Sequence, residues 1–345
     1  MQAYFERQAA LHPALMPRDA LKLAYQAAFG AEHLAGDAAA ARRSLHGELA
    51  ACEADPAEPL SEAISPDLCR VNLRAWKAAG LPEDWLLRMF LDTCVPRVDG
   101  EGRFRDMLTE LDALVQAGKL PFSRDAWERE KQAYLAEGLH AVHHSESYRA
   151  KERPAYRLVL GRYGRLLPLL AALDLSQRQI IALDGRCASG KTTLAADLAH
   201  IAGAAVVHMD DFFLPLELRT PERLAEPGGN VHYERFITDV LPGLRCGAAF
   251  TYPVFDCSVM ALNGVRAVDA APITLVEGAY SCHPALGDYM TLRAFSDVDP
   301  VTQRQRILAR NGKAGLENFL TRWIPLEERY LEACSIREKA QVILE

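Results

Sequence analysis

The sequence predicts an α/β fold, a parallel five-stranded sheet with helices on both faces, following a mostly α-helical N-terminal half. Three observations predict it. From about residue 176, short apolar runs alternate with helix-patterned text at Ile180–Leu183, Ala205–Met209, Ile273–Val276, Thr291–Phe295 and Gln341–Leu344. That rhythm is the signature of a parallel sheet wrapped by its crossover helices. The first run opens into Gly185-Arg186-Cys187-Ala188-Ser189-Gly190-Lys191-Thr192, which fits the phosphate-cradling pattern G-x-x-x-x-G-K-[ST]. Upstream, the apolar residues recur at helical spacing instead.

In the N-terminal half, Asp19 to Phe29 reads as a helix stopped by Gly30, Glu83 to Val95 as one stopped by Pro96, and Phe104 to Ala117 as one ended by Gly118. Trp127 to Leu139 and Ala155 to Leu173 carry the same period. These elements make residues 1–172 a helical domain and leave 173–345 for the nucleotide-binding domain. Within the latter, Phe250–Val254 and Val265–Val268 read as a hairpin joined through Asn263-Gly264.

Bulk properties bound the function. The chain has 345 residues, room for about two domains of ~150 residues, and its 50% hydrophobic content can fill a core in each. A net charge of −7 argues against a nucleic-acid partner. The N-terminus lacks an apolar signal core, and no run of apolar residues is long enough to span a membrane. The eight cysteines are scattered without a C-x-x-C pair, so reduced thiols in a cytoplasmic protein are expected rather than zinc or disulfides. A homo-oligomer is left open.

The chemistry follows from residue types in the loop. Gly185 and Gly190 permit turns that a Cβ forbids and leave room for phosphate oxygens. The amides from Gly185 through Arg186, Cys187, Ala188, Ser189, Gly190, Lys191, Thr192 and Thr193 are placed to face an anion at the start of the following helix. Lys191 can reach the β- and γ-phosphates of ATP, and the Thr192 hydroxyl can ligate Mg²⁺. Cys187 lies inside the loop, so modifying its thiol is expected to interfere with nucleotide binding.

Further residues lie where strands end. Asp210 and Asp211 follow the second strand, at the edge where open α/β sheets bind ligands. Asp210 can take a proton from an attacking hydroxyl and can also ligate the metal, while Asp211 either assists through water or caps the next turn. Glu277 closes the third strand as a second metal-coordinating or water-orienting acid, or as a helix cap. Arg306 and Arg310 are four apart and share a helix face, from which arginines can offset charge on a transferring phosphoryl group. Phe213, His232, Tyr252, Phe255 and Asp256 supply aromatic and polar groups for a pocket that takes a small hydroxylated substrate.

The order of these motifs resembles that of the uridine kinase family and its relatives, pantothenate kinase and phosphoribulokinase. The likeness spans roughly residues 176–345 and rests on Gly185–Thr192, Asp210-Asp211-Phe212-Phe213, Pro253-Val254-Phe255-Asp256, Val276-Glu277-Gly278, Arg306 to Arg310, and Ala340-Gln341-Val342-Ile343-Leu344. It implies a P-loop kinase-type sheet and an ATP- and Mg²⁺-dependent phosphotransferase. Asp210 falls at the family's catalytic carboxylate, Lys191 and Thr192 at its triphosphate and Mg²⁺ contacts, Glu277 at its metal-site carboxylate, and Arg306 and Arg310 in its lid. Two positions depart from the pattern. Met260 stands where uridine kinases place a pyrimidine-reading His, and His232 where the family tends to have an acid that holds the ribose hydroxyls. The resemblance therefore implies a uridine-kinase-like protein rather than a uridine kinase.

The N-terminal half carries polar stretches inside helical text, at residues 25–33, Arg70-Val71-Asn72 and 143–149. They offer His, Glu, Arg, Asn and Tyr for a second ligand site, or for caps and interhelix hydrogen bonds. His143 and His144 point about 100° apart on a helix and cannot easily chelate one metal there. Two alternatives to a plain kinase stay open: an ATP-binding switch module, and a bifunctional protein with a separate N-terminal activity.

Overall fold

The computed structural model describes residues 1–31 and 37–345. The chain divides into two compact units, Met1–Leu167 and Pro168–Glu345. Glu32 and His33, part of the first polar stretch, lie outside the described residues.

The N-terminal unit is mostly helical. Its central helix, Pro17–Phe29, starts with Pro in the first turn, and the Met16 amide donates to the Asp19 carboxylate at 3.0 Å. This helix buries Ala20, Leu21, Leu23, Ala24, Ala27 and Ala28 in a core shared with Phe104, Leu108 and Leu111 of helix Gly100–Gln116. Helices Glu83–Thr93 and Arg124–Glu137 match two more of the five expected.

The unit also holds a three-stranded antiparallel sheet that periodicity missed: β1 (Ser61–Ser65), β2 (Leu68–Asn72) and β3 (Tyr156–Leu160), in that order. The segment expected as one helix over 155–173 is therefore a strand followed by two short helices, Gly161–Gly164 and Leu167–Ala171. Its apolar run is too short to separate strand from helix by period alone. The pairing of Tyr156 with Asn72 through to Leu160 with Leu68 decides the matter, and the aromatic and β-branched residues suit it.

In the C-terminal unit five parallel strands, β4 (Gln179–Gly185), β5 (Ala205–His208), β8 (Ile273–Glu277), β9 (Leu292–Ser296) and β10 (Val342–Leu344), stand in the order β10-β9-β4-β8-β5. This is an open parallel sheet of the helix-flanked α/β kind. Central β4 and β8 are buried along their whole length, as expected of strands covered on both faces. From β4 the chain goes to one side for β5 and β8, then to the other for β9 and β10. The topological switch thus falls at β4, and ligands of open α/β sheets bind outside the carboxyl ends at such a point.

An antiparallel hairpin, β6 (Phe250–Asp256) and β7 (Ala261–Val268), is inserted before β8. Asn263-Gly264 is not its turn. Asp256 pairs with Ala261, so the turn is residues 257–260, while the register shifts opposite Asn263-Gly264, where Gly264 has φ 93°. A glycine with positive φ at a register shift is a bulge. The turn is held by Asp256, whose carboxylate accepts from the Ser258 amide at 2.8 Å, the Ser258 hydroxyl at 2.6 Å and Asn263 Nδ2 at 3.1 Å. Among the described residues no helix is long and apolar enough to cross a membrane.

Candidate active site

The phosphate-loop sequence lies at the carboxyl end of β4 and leads into helix Lys191–Ala202. Gly185 has φ 134°, and a Cβ there would stand 2.1 Å from the Ser296 carbonyl of neighbouring β9, so only glycine fits. Gly190, with φ 96°, caps the helix. The Lys191 ammonium folds back over the loop and donates to the carbonyls of Gly185 at 2.6 Å and Arg186 at 2.9 Å. Thr193 occupies the first turn of the helix beside Thr192.

Neighbouring strands bring acids to the same edge. In the register, β8 ends with Glu277 beside Leu183 of β4 on one flank and His208 of β5 on the other. The Thr192 hydroxyl lies 3.4 Å from both carboxylate oxygens of Glu277, and His208 Nδ1 lies 2.6 Å from Oε1. The imidazole thus orients the buried carboxylate. Asp210 follows two residues after His208, in a short turn, with its residue exposed to solvent. The surrounding protein still displaces enough water to push its carboxyl above the usual carboxylate range, and repulsion from Glu277 adds to this, while Lys191 opposes it.

The structure brings Lys191, Thr192, Glu277 and Asp210 together and assigns several other candidates elsewhere. Asp211 is engaged elsewhere. It is 6% exposed, and its carboxylate accepts from the Tyr252 hydroxyl at 2.9 Å and from Arg266 Nε at 2.7 Å. Tyr252 is 0% exposed and Phe255 is also buried, so neither can touch a substrate. Tyr252 packs in the core against Phe212, ring centroids 5.2 Å apart. Asp256 is consumed by the hairpin turn described above. Phe213 is half-buried beside Trp323, with ring centroids 5.9 Å apart. The His232 amide donates to the Phe212 carbonyl at 2.7 Å, and partial burial holds its imidazole below the usual range.

Arg306 donates to the Ala188 carbonyl at 3.0 Å and so touches the loop. Arg310 instead donates to Asn311 at 2.8 Å, with its guanidinium 5.8 Å from the Phe319 ring centroid. Both stand on helix Pro300–Asn318, which breaks at Gly312 (φ 69°) and runs into a wider-wound segment, Phe319–Trp323. The positive φ at Gly312 interrupts the helix there.

Sequence reading missed the groups that hold the loop from behind. Arg186 forms a fork with Glu328, Nε to Oε1 at 2.6 Å and a second nitrogen to Oε2 at 3.1 Å, and also pairs with Asp297. Glu327, 4% exposed, accepts the Cys187 amide at 2.8 Å. Fully buried Asp184 accepts from the amides of Gly185, Tyr280 and Cys282 and from the Tyr330 hydroxyl at 2.7 Å. No local signal marks these residues.

No protein-family model matches the sequence, and no curated protein does. Among solved structures, the chain is similar to a candidate uridine kinase from Bacillus stearothermophilus, at 21% identity over 53% of this chain and 99% of that one, with a TM-score of 0.42. It is similar to a candidate fructose transport system kinase from Silicibacter sp. TM1040 at 23% identity, over 53% of this chain and 98% of that one, with a TM-score of 0.42.

Proposed function

We propose that the C-terminal unit transfers the γ-phosphoryl group of ATP to a hydroxyl of a small metabolite. The observation that carries this reading is the convergence of Lys191, Thr192, Glu277 and Asp210 at the carboxyl ends of three adjacent parallel strands. The loop amides and Lys191 would hold the phosphates, with Arg306 reaching the same loop from the lid.

Magnesium fits this edge. The Thr192 and Glu277 oxygens are 3.4 Å apart, near enough to share one hard cation. Water and phosphate oxygens would complete the coordination, as Mg²⁺ prefers. When bound, the ion supplies neutralisation of phosphate charge. Asp210 would accept the proton of the attacking hydroxyl, and its raised affinity for protons makes it a better acceptor than an ordinary aspartate.

Asp210→Asn tests the reading. ADP release with Mg-ATP and a panel of nucleosides, sugars and other polyols should fall by at least ~10²-fold, with ATP affinity retained. The wild-type pH–rate profile should lose activity on the acid side above the ordinary carboxylate range. Undiminished turnover in the variant would remove Asp210 as the base.

A further inference from the structure

We infer that the N-terminal unit holds its own binding site for a small organic anion, in the cavity walled by helices Pro17–Phe29 and Ala38–Ala51 and by residues 141–158. Nothing in this site depends on the phosphate loop or on the phosphotransferase reading. The cavity measures ≈ 920 Å³, within the ~300–1,000 Å³ of small-molecule pockets. Tyr25, Phe90 and Leu158 give it an apolar side, and Lys22, Arg149 and Arg153 give it a cationic one.

The charges among the described residues point to an anion. The Lys22 ammonium donates to the Val142 carbonyl at 3.1 Å and, among the described residues, forms no ion pair. Arg149 and Arg153 likewise form none among the described residues, and both reach the cavity from its exposed rim. Burial and the nearby positive charges of Arg70 and Arg149 together push the Lys22 pKa down to about 8. The nearby acids are already engaged. Asp19, buried, accepts from His144 Nδ1 at 2.8 Å, from the Ser145 amide at 2.9 Å and hydroxyl at 2.7 Å, and from the Met16 amide. Glu48 pairs with Arg157 at 2.8 Å, and Asp37 caps a helix at the Ala39 amide. Among the described residues Asp19 offsets part of the Lys22 charge, and a bound anion would offset more of the charge that Lys22, Arg149 and Arg153 bring together.

The walls are built rather than incidental. Because Nδ1 of His144 faces the Asp19 carboxylate, Nε2 is left to accept from the Tyr156 hydroxyl at 2.7 Å, and Gln26 donates to the same oxygen at 3.3 Å. Behind the Tyr156 ring lies buried Arg70, 4.4 Å from its centroid and held by the amide oxygens of Gln8 and Gln26. Tyr156 is thereby fixed in the wall before any ligand arrives, which favours binding by preorganisation. Guanidinium and ammonium groups beside an apolar wall select a phosphate or carboxylate head on an apolar body.

The test is calorimetric titration of the full chain in a Lys191→Ala background, so that anions at the phosphate loop do not contribute. Phenyl phosphate and benzoate are the charged probes and benzyl alcohol the neutral one. At least one charged probe should bind, the tighter of the two showing whether phosphate or carboxylate is the natural head. Arg149→Gln and Lys22→Gln should each weaken it by about tenfold or more, the scale of one charge-assisted hydrogen bond. Arg149 is exposed, so its variant keeps the fold, which an unchanged unfolding midpoint without ligand will show. Binding that survives both substitutions, equal binding of benzyl alcohol, or no binding of either anion would each overturn the inference.

Discussion

Glu327 places a carboxylate against the loop whose sequence fits the phosphate-cradling pattern. It accepts the Cys187 amide at 2.8 Å, and burial raises its proton affinity while Lys191 favours its charged form. The same carboxylate acts on the neighbouring thiol. Burial pushes Cys187 well above the usual thiol range, and repulsion from Glu327 adds to it, so little nucleophilic thiolate forms. The expectation that Cys187 is a reactive handle on the loop therefore weakens. Iodoacetamide near pH 8, with sites mapped by mass spectrometry, should label exposed Cys246 long before Cys187, and equal rates would contradict this account. At this scale the legible residues were those whose chemistry is local. Lys191 and Thr192 follow from their spacing to two glycines, whereas Asp184 depends on Tyr330, 146 positions away, and no window of sequence joins them.

Elements show the same division. The five sheet strands were legible because buried parallel strands are short continuous apolar runs bounded by turn residues. The hairpin β6–β7 was placed correctly as a pair, but its turn was misread because Asn-Gly serves equally well in a bulge, and the side-chain bonds of Asp256 settled which it is. β3 was read as helix because its partner, β2, lies far upstream. The hairpin has a second role in positioning the site. Its Tyr252 hydroxyl donates to Asp211 at 2.9 Å and accepts the His208 amide at 3.3 Å, so it pins the residues on either side of Asp210. Tyr252→Phe leaves both partners short of one bond inside the protein. The expected loss is about 1–2 kcal/mol, read as a fall of about 2–8 °C in the unfolding midpoint of the unit it belongs to. Faster hydrogen exchange at the His208 amide should accompany it. A variant with unchanged midpoint and unchanged exchange would show that the hydroxyl contributes nothing there.

For the whole molecule, two compact units with separate cores make nucleotide binding a spatially resolved question. A ligand shifts a conformational equilibrium only by the difference in its affinity for the two states. If ATP serves only as phosphoryl donor, its stabilisation should stay with the elements that touch it. Hydrogen exchange on the full chain with Mg-ATP should then slow in peptides spanning 185–193, 208–213 and 273–280, and remain unchanged across 1–167. Lys191→Ala should abolish the effect, because its ammonium folds back over the loop onto the Gly185 and Arg186 carbonyls, where the proposed phosphates would meet it. The anion probes give the converse pattern, slowing exchange in residues 141–158 with no need of Lys191. Slowing that spreads from the phosphate loop into 1–167 under Mg-ATP would mean that nucleotide affinity differs between two states of the N-terminal unit. That outcome favours the switch reading over the plain kinase, since differential affinity is the one means by which ATP could act there.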